Sequence, residues 1–549
     1  MNKIIFGEMR DLTKKLVSIP SVNGSHGGEA AIADFIYQYI ADMPYFRNHA
    51  EDVFVQNLPK DSLRRKNVFA LLRGTKGESR KTLIFHGHID TVGVDDLGVL
   101  KDAAFDCDRL AEEMKKLPQE TEVRHDLESG DYLFGRGASD MKSGDAVFLI
   151  LLKHLSLQPE QIDGNILFMF NPVEENHHTG ILTALQKLVD LRDQEGLDYI
   201  FAINNDYICP AYTGDTTRYI YTGAMGKILP SFYVLGKETH VGQCYEGISA
   251  ADIAARIVQA IDLNPALCDT YDGECSLPPV VLKMKDLKPR YDVQTIREAL
   301  VYFSYMVEND DMGNILSKLK NIARQTLAEV LQQQEEKANA YSKISGIFHS
   351  ELKFEGHVYL FEELMQEALR QGISDMPQIL EDIAVREQET GSDAREISLM
   401  AVRELCRRLN VSAPAVVIFL SPPYLPHNTL HSNNTEELEL MEGIGDIAAS
   451  IGKETGETFE VLHFFPSLSD SSYLKIDDRQ ESVNELIHNF PLYNRLFPVP
   501  TNMIQKLSIP SINYGCFGKD AHRKTERVYM PYSFGVLPRL IMQTIHKYL

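Results

Sequence analysis

Short apolar segments alternate with amphipathic segments along the first 217 residues. Continuous apolar runs of strand length occur in KTLIFH, GNILFMFN and LDYIFAINND, and such runs are typical of central strands covered on both faces. Two helical segments, DAVFLILLKHLSL and GILTALQKLVDLRDQ, lie between these strands. GEAAIADFIYQYIADM, which precedes them, repeats apolar residues at the spacing of one helix face. Strands that alternate with helices predict an α/β sheet.

The pattern changes after about residue 217. GKILPSFYVL, PPVVLKMKDLK and EALVYFSYMV predict strands, and ILSKLKNIARQTLAEVLQQQ predicts a long helix, which is typical of a smaller α+β unit. A polar, mostly helical region covers about 340–410, and APAVVIFLSPPYLP then predicts a closing strand. The predicted organisation is a first domain in two parts, 1–217 and 429–549, with a second domain inserted at 218–428.

Composition places the chain among folded globular proteins and limits its partners. A chain of 549 residues is too long to fold around one hydrophobic core, so two or more domains are expected. Of these residues 44% are hydrophobic, as in folded globular proteins. A formal net charge of −23 argues against a nucleic-acid surface, and no window approaches the roughly 18 apolar residues of a membrane helix. The seven cysteines are odd in number and form no CxxC pair. We therefore expect a cytoplasmic protein that binds neither nucleic acid nor membranes.

Side chains that can bind metal follow several of the predicted strands. LIFHGHIDTVG ends a strand on His88 and Asp90. Further carboxylates and a histidine stand in similar places: Asp140 in FGRGASDMKSG, Glu174 and Glu175 in FMFNPVEENHHTG, Asp206 in FAINNDYICP, and His522 in GCFGKDAHRKTE. Because ligands of open α/β sheets bind beyond the carboxyl ends of the strands, we expect these side chains to converge.

Two imidazoles and three carboxylates suit two divalent ions that share one carboxylate. Zinc fits such ligands, and cobalt and manganese also fit. At a strand end Glu174 and Glu175 point in opposite directions, so one can bind metal while the other accepts a proton from water. Asp90 can accept the other ring N–H of His88 and so fix its tautomer.

Three nearby histidines are given structural roles. We interpret His86 as a packed or hydrogen-bonded residue behind the site rather than as a metal ligand. His177 and His178 directly follow the two glutamates and their Asn176 neighbour. We interpret both as loop residues near the mouth of the site.

Four motifs together resemble the M20 family of di-metal peptidases and amidohydrolases: GHIDTV, GRGASDMKSG, PVEENHHTG and AHRKTE. RRKNVFALLRG and LSPPYLP narrow the resemblance to the RocB-type arginine-utilisation proteins, a branch with an enlarged lid. The resemblance implies a zinc-peptidase-like α/β catalytic domain with a mixed central sheet. It also implies that the inserted domain is an enlarged α+β lid of the dimerisation type, through which a homodimer can form.

The resemblance assigns roles to individual residues. It implies five metal ligands: His88 and Asp206 on one ion, Glu175 and His522 on the other, and Asp140 on both. Glu174 would be the general base, and Asp90 the partner of His88. His240 in KETHVG would polarise the substrate carbonyl, in dimeric members from the partner subunit. A cis peptide bond is implied between Asp140 and Met141.

The chain departs from the family where a substrate carboxylate usually binds. LSDSSYL retains Ser469 and Asp470 but lacks the arginine of the family's SDAR, and YFSYMV lacks the lid arginine. Arginine recognises carboxylates in a way few side chains match, so a free α-carboxylate at the usual place is not expected. Four lid cations are the available replacements, although we favour solvated positions for them: Lys283, Lys285, Lys288 and Arg290.

Two functions are consistent with these residues. The first is hydrolysis of an amide or peptide C–N bond in a small molecule or short peptide, in arginine or amino-acid catabolism. The second is a non-catalytic, metal-stabilised binding protein on the same fold, because fold alone does not determine function. Glu174 favours the hydrolase, since a scaffold has no need of a second acid beside the ligand Glu175.

Overall fold

A computed structural model describes residues 3–347 and 354–549, and the chain divides into two compact units. The first unit consists of Met1–Ala224, Asn428–Ile476 and Pro500–Leu549. The second consists of Met225–His427 and Asp477–Val499. Part of the predicted helical region at 340–410, residues 348–353, lies outside the described residues.

The segment Asp477–Val499 belongs to the second unit, whereas the sequence placed all of 429–549 in the first domain. Its helix packs against the long helix of the second unit, where the Ser482 hydroxyl accepts the backbone N–H of Met312 at 2.9 Å. The Asn489 carbonyl accepts the N–H of Leu420 at 2.8 Å. These contacts join residues far apart in the chain, so a local sequence pattern does not reveal them.

The described part of the first unit contains an eight-stranded sheet. In spatial order its strands are Val53–Asn57, Lys66–Arg73, Asn165–Asn171, Lys81–His88, Asp198–Asn204, Ser511–Asn513, Arg218–Tyr221 and Phe459–Leu462. The four strands from Asn165 to Asn513 in this order are mutually parallel, while antiparallel pairs flank them. The sheet is therefore mixed, as the resemblance predicted, and its parallel strands end at one edge.

A smaller three-stranded sheet lies in the same unit and consists of Gly518–Lys519, Arg527–Tyr529 and Tyr132–Phe134. Helices complete the unit: Lys3–Val17, Gly28–Ala41, Pro44–Asn48, Cys107–Lys115, Thr121–Ser129, Lys142–Leu155, Thr179–Glu195, Thr435–Thr455, Thr501–Leu507, Met530–Gly535 and Leu537–Tyr548. Phe148 of one helix packs edge-on against Phe85 of the large sheet, with ring centroids 5.1 Å apart. This contact anchors the helix that follows Asp140.

The described residues of the second unit form a five-stranded sheet and several helices. The strands in spatial order are Val280–Asp286, Glu298–Val307, Gly226–Leu235, Ala415–Leu425 and His357–Leu360. A two-stranded ribbon joins Thr270–Tyr271 to Glu274–Cys275. The helices are Ala250–Ile261, Met312–Ser345, Phe361–Arg370, Met376–Glu389, Ala394–Arg408, Gln480–His488 and Tyr493–Leu496. Helices of the predicted 340–410 region pack on one face of this sheet through a shared apolar cluster.

Hydropathy along the helices bears on membrane association. Within 3–347 and 354–549, no helix combines the length and the apolar character needed to cross a membrane.

Candidate metal centre

Strand order explains why distant residues meet at one edge of the large sheet. His88 is the last residue of Lys81–His88, which pairs in parallel with Asn165–Asn171 on one side and Asp198–Asn204 on the other. The glutamate pair and Asp206 follow the ends of those two neighbours within a few residues. The carboxyl ends of the three strands therefore deliver one imidazole and three carboxylates to the same place.

Asp140 and His522 reach this place from the small sheet. His522 lies in the loop between Gly518–Lys519 and Arg527–Tyr529, and the latter strand pairs with Tyr132–Phe134, which leads into the loop that carries Asp140. Two loops of one small sheet thus approach the edge of the large sheet together.

Asp140 lies between the two histidines. Its Oδ1 is 2.9 Å from His88 Nε2, and its Oδ2 is 3.0 Å from His522 Nε2. The same His522 nitrogen is 3.0 Å from Glu175 Oε1, and ligand atoms of His88, Asp140 and Glu175 all lie within 4.8 Å of one another. The peptide bond between Asp140 and Met141 is cis, as the resemblance predicted.

Glu174 lies beside this cluster without joining it. Its Oε2 is 4.0 Å from His88 Nε2, which is too long for a hydrogen bond. The residue is 5% exposed, and its Oε1 has no hydrogen-bond partner among the described residues. Glu174 is thus an acid in contact range of the cluster, and its Oε1 is not used in a hydrogen bond to any described residue.

Burial dominates the electrostatics of three carboxyls of the cluster. It raises the pKa of Glu174 and of Asp206 well above the usual value and also raises the pKa of Glu175, and neighbouring carboxylates add to each shift. Crowded, buried carboxylates are costly to ionise unless positive charge accompanies them. Divalent cations would supply that charge, and imidazole and carboxylate are ligands that zinc accepts. The residues therefore fit metal ions.

The pKa values of the two imidazoles are raised as well, but by their carboxylate neighbours and against the effect of burial. Burial acts to lower the pKa of His522, but Asp140 and Glu175 outweigh it and raise that pKa to about 11. Burial likewise opposes the charge of His88, and the nearby carboxylates, Glu174 foremost, raise its pKa well above the usual value. In Asp140 the hydrogen bonds from both histidines outweigh burial, and they hold its pKa well below the usual value. In the protein without metal, protons on the imidazoles thus partly neutralise the carboxylates.

Comparison with known proteins identifies the family. The sequence model of Peptidase family M20/M25/M40 matches residues 84–444, which is more than half of the chain. The chain belongs to this family. The predicted membership is therefore confirmed, and the protein is a metal-dependent hydrolase that acts on C–N bonds.

Individual relatives agree with this assignment. The chain is 40% identical to the protein RocB of Bacillus subtilis (strain 168), over 97% of this chain and 93% of that protein. It is 33% identical to the protein YqjN of the same organism, over 98% of this chain and 96% of that protein. The crystal structure of an M20 family metallo-carboxypeptidase, Sso-CP2 from Sulfolobus solfataricus, shares its fold with a TM-score of 0.52 and 11% identity, over 98% of this chain and 99% of that one.

The role of Asp90 in this M20 protein differs from the prediction. The ring Nδ1 of His88 hydrogen-bonds to the backbone carbonyl of Asp90 at 3.2 Å, whereas the nearest carboxylate oxygen of Asp90 is 3.7 Å away. The carboxylate is already used: Oδ1 accepts the N–H of Glu174 at 3.0 Å, and Oδ2 accepts the N–H of Glu175 at 3.1 Å and the Asn23 amide at 2.8 Å. Asp90 therefore fixes the backbone of both glutamates.

Glu526 is a further residue of the site that the sequence analysis missed. Its Oε1 accepts the backbone N–H groups of Ser139 and Asp140 at 3.1 and 3.3 Å, and its Oε2 accepts from Arg136 Nη1 at 2.8 Å. Burial raises the pKa of Glu526 to about 7. The carboxylate thus holds the loop that presents Asp140. Glu526 lies four residues after His522 in the motif AHRKTE, and this position was the sequence feature that could have indicated its role in the site.

The histidines outside the predicted ligand set differ from one another. His86 is fully buried, and its Nε2 lies 3.3 Å from the Ser471 hydroxyl, so it is packed as predicted. Burial lowers its pKa to about 4. His178 is also fully buried and pairs with Asp470 at 3.0 Å. It lies in the loop before the helix Thr179–Glu195, as interpreted, but it is buried rather than exposed at the mouth of the site, while His177 is half-buried.

His240 and the candidate lysines belong to the second unit. The exposed His240 accepts the N–H of Gly242 on its Nδ1 at 3.0 Å, so a neutral ring carries its proton on Nε2. Lys283 and Lys285 both pair with Glu396, at 3.0 and 2.6 Å. The remaining two candidate cations differ in environment: Lys288 pairs with Asp292, and Arg290 is exposed.

Proposed function

We propose that the protein uses two divalent ions to hydrolyse an amide or peptide bond in a small molecule or short peptide. In this proposal five side chains hold the ions: His88 and Asp206 one, Glu175 and His522 the other, and Asp140 both. The observation that carries it is Asp140, whose two oxygens each lie within 3.0 Å of a different histidine. A carboxylate with one oxygen toward each half of the ligand set is what a shared ligand requires.

When bound, the ions would supply the Lewis acidity that polarises a carbonyl and lowers the pKa of water. Glu174 would accept the proton of the attacking water and deliver it to the leaving amine, because it is the acid beside the cluster that the ligand set does not use. His240, with its proton on Nε2, would donate to the carbonyl oxygen as negative charge develops there. The second unit would then act as the family's lid.

The kind of ion, the metabolic role and the cellular compartment are proposed from the chemistry of the residues and from the relatives. Zinc is the ion we propose, because two imidazoles and three carboxylates suit it. A role in arginine or amino-acid catabolism is proposed from the sequence resemblance to the RocB-type proteins, and the chain is 40% identical to one protein of that name. All seven cysteines lie in the described residues and are free, which is consistent with a reducing cytoplasm.

A homodimer through the second unit is part of the proposal. Val280–Asp286 is the first strand of the five-stranded sheet, and no described strand pairs with its outer side. Its apolar residues Val280, Leu282 and Met284 are 40%, 52% and 45% exposed. An exposed apolar edge strand invites pairing with another chain, and light scattering of the purified protein measures whether a dimer forms.

Paired substitutions of the two adjacent glutamates test the function. Glu174→Gln keeps the shape but removes the proton acceptor, so we expect hydrolysis to fall about 100-fold to 10,000-fold with two ions still bound. Glu175→Gln, the matched control one residue away, is expected to lose about one equivalent of metal. Turnover on a screened set of N-acyl amino acids and dipeptides, with metal content from elemental analysis, gives both readouts. Wild-type turnover by Glu174→Gln would contradict the assignment of the base.

A further inference from the structure

A buried pair, His178 and Asp470, lies behind Glu174. His178 Nδ1 is 3.0 Å from Asp470 Oδ1 and 4.0 Å from Glu174 Oε1. His178, Asp470 and Glu174 are almost fully buried, at 0%, 3% and 5% exposure of the residue. An imidazole enclosed between two carboxylates in this way is not a solvated loop residue, and the five proposed metal ligands do not require it.

Glu174 lies between two imidazoles on different sides. Its Oε2 is 4.0 Å from Nε2 of His88, and its Oε1 is 4.0 Å from Nδ1 of His178. One oxygen therefore faces the candidate metal centre, and the other faces the buried pair. Oε1 has no hydrogen-bond partner among the described residues, and the ring of His178, 4.0 Å away, can restrain it by contact.

The buried pair is fixed to the large sheet. Asp470 Oδ2 accepts from the amide of Asn171 at 3.2 Å, and Asn171 ends the strand that precedes the glutamates. The neighbouring Ser469 hydroxyl accepts from the amide of Asn204 at 3.0 Å, and Asn204 ends the parallel strand on the other side of Lys81–His88. The pair thus takes its position from two strand ends that also deliver the proposed ligands.

The backbone at His178 is consistent with a specific role. Its φ is 52°, in the left-handed region that non-glycine residues seldom adopt, and the helix Thr179–Glu195 begins at the next residue. Such conformations persist where surrounding contacts determine them, and they cluster at functional sites. The imidazole bond to Asp470 and the contact with Tyr473, whose ring centroid is 5.3 Å away, are contacts of that kind.

We propose that His178, anchored by Asp470, is a positioning residue that holds the carboxylate of Glu174 toward the metal centre. This proposal rests on the proposed role of Glu174 as the base. The Nδ1–H of His178 donates to Asp470, which sets the ring orientation, and the same edge of the ring limits the movement of Glu174 Oε1. A displacement of about 1 Å at a reacting group can reduce rate on the order of a hundredfold, so the restraint has a measurable consequence.

The tests use His178→Asn and Asp470→Asn, with His177→Asn as the matched control on the neighbouring, half-buried histidine. For the first two variants we expect kcat to fall about 10-fold to 100-fold, with KM within about twofold of wild type and two ions still bound. His177→Asn should retain wild-type kcat. Crystal structures of the variants should show Glu174 displaced from its wild-type position, a readout that does not depend on turnover.

Several outcomes would overturn the proposal. One is unchanged kcat in both variants with Glu174 in its wild-type position. Another is a third equivalent of metal in the wild type that His178→Asn loses, because Glu174, His178 and Asp470 would then be ligands of an ion of their own.

If His178→Asn does not fold, the isosteric Asp470→Asn still tests the anchor. If the wild type hydrolyses no amide, the proposed function fails, and the position of Glu174 in the variant crystals still decides the positioning role.

Discussion

Substitution of Asp90 tests whether a strand-end carboxylate holds the two glutamates in place. The carboxylate accepts the backbone N–H groups of Glu174 and Glu175 at 3.0 and 3.1 Å, and it is fully buried. In Asp90→Asn one oxygen becomes an NH₂ group, so at least one of the buried N–H groups faces a donor. An unpaired buried donor costs about 1–3 kcal/mol. Asp90→Ala leaves both N–H groups unpaired and should cost about 2–6 kcal/mol.

Urea unfolding of the metal-free protein, followed by circular dichroism, measures these losses as shifts of the midpoint at constant slope. Asn23→Ala is the matched control, because it removes one donor to the same carboxylate at 2.8 Å and leaves both backbone bonds intact. We expect that control to cost about 1 kcal/mol or less. Wild-type stability of Asp90→Ala together with weakened metal binding would refute the backbone role. It would instead favour the predicted role of the carboxylate on the tautomer of His88.

Three further predictions concern the loop of Asp140, the ions and the second unit. Glu526→Gln should weaken metal binding about 10-fold to 100-fold, because the carboxylate holds the backbone of Asp140. Competition with a chelator measures the affinity, and an unchanged affinity would contradict this role. Zinc added to the chelated protein at about 100 times its dissociation constant should stabilise the fold by about 2.7 kcal/mol for each ion bound. Calorimetry that shows no rise in the unfolding midpoint would count against the site. His240→Ala should lower turnover about 100-fold to 1000-fold with thermal stability unchanged, since the residue is exposed; equal losses of both would indicate a structural role.

Strand ends made much of the site predictable from the sequence. His88 and the acids at 174, 175 and 206 follow apolar runs directly, and parallel neighbours in a sheet bring such ends together. Asp140 and His522 come from loops of a small sheet whose strands have two or three residues. Periodicity in such short segments is too brief to predict the small sheet. The positions of Asp140 and His522 after apolar runs indicated that they converge on the site, but not that one small sheet carries both.

Other contacts were beyond prediction because side-chain direction is set by packing. The position of Asp90, two residues after His88, suggested that its carboxylate accepts a hydrogen bond from that histidine. In the structure the carboxylate instead accepts hydrogen bonds from three other donors. His178 and Asp470 are separated by 292 positions, and neither neighbourhood indicates the other. The helix Gln480–His488 is short and amphipathic, and only its contact with the long helix of the second unit shows where it belongs.

The sharing of Asp140 by two ions is tested most directly by anomalous X-ray diffraction from crystals grown with zinc. We predict two anomalous peaks, one in contact with His88 and Asp206 and the other with Glu175 and His522, each also touching one oxygen of Asp140. A single peak, or two peaks of which one does not contact Asp140, would contradict the proposed centre.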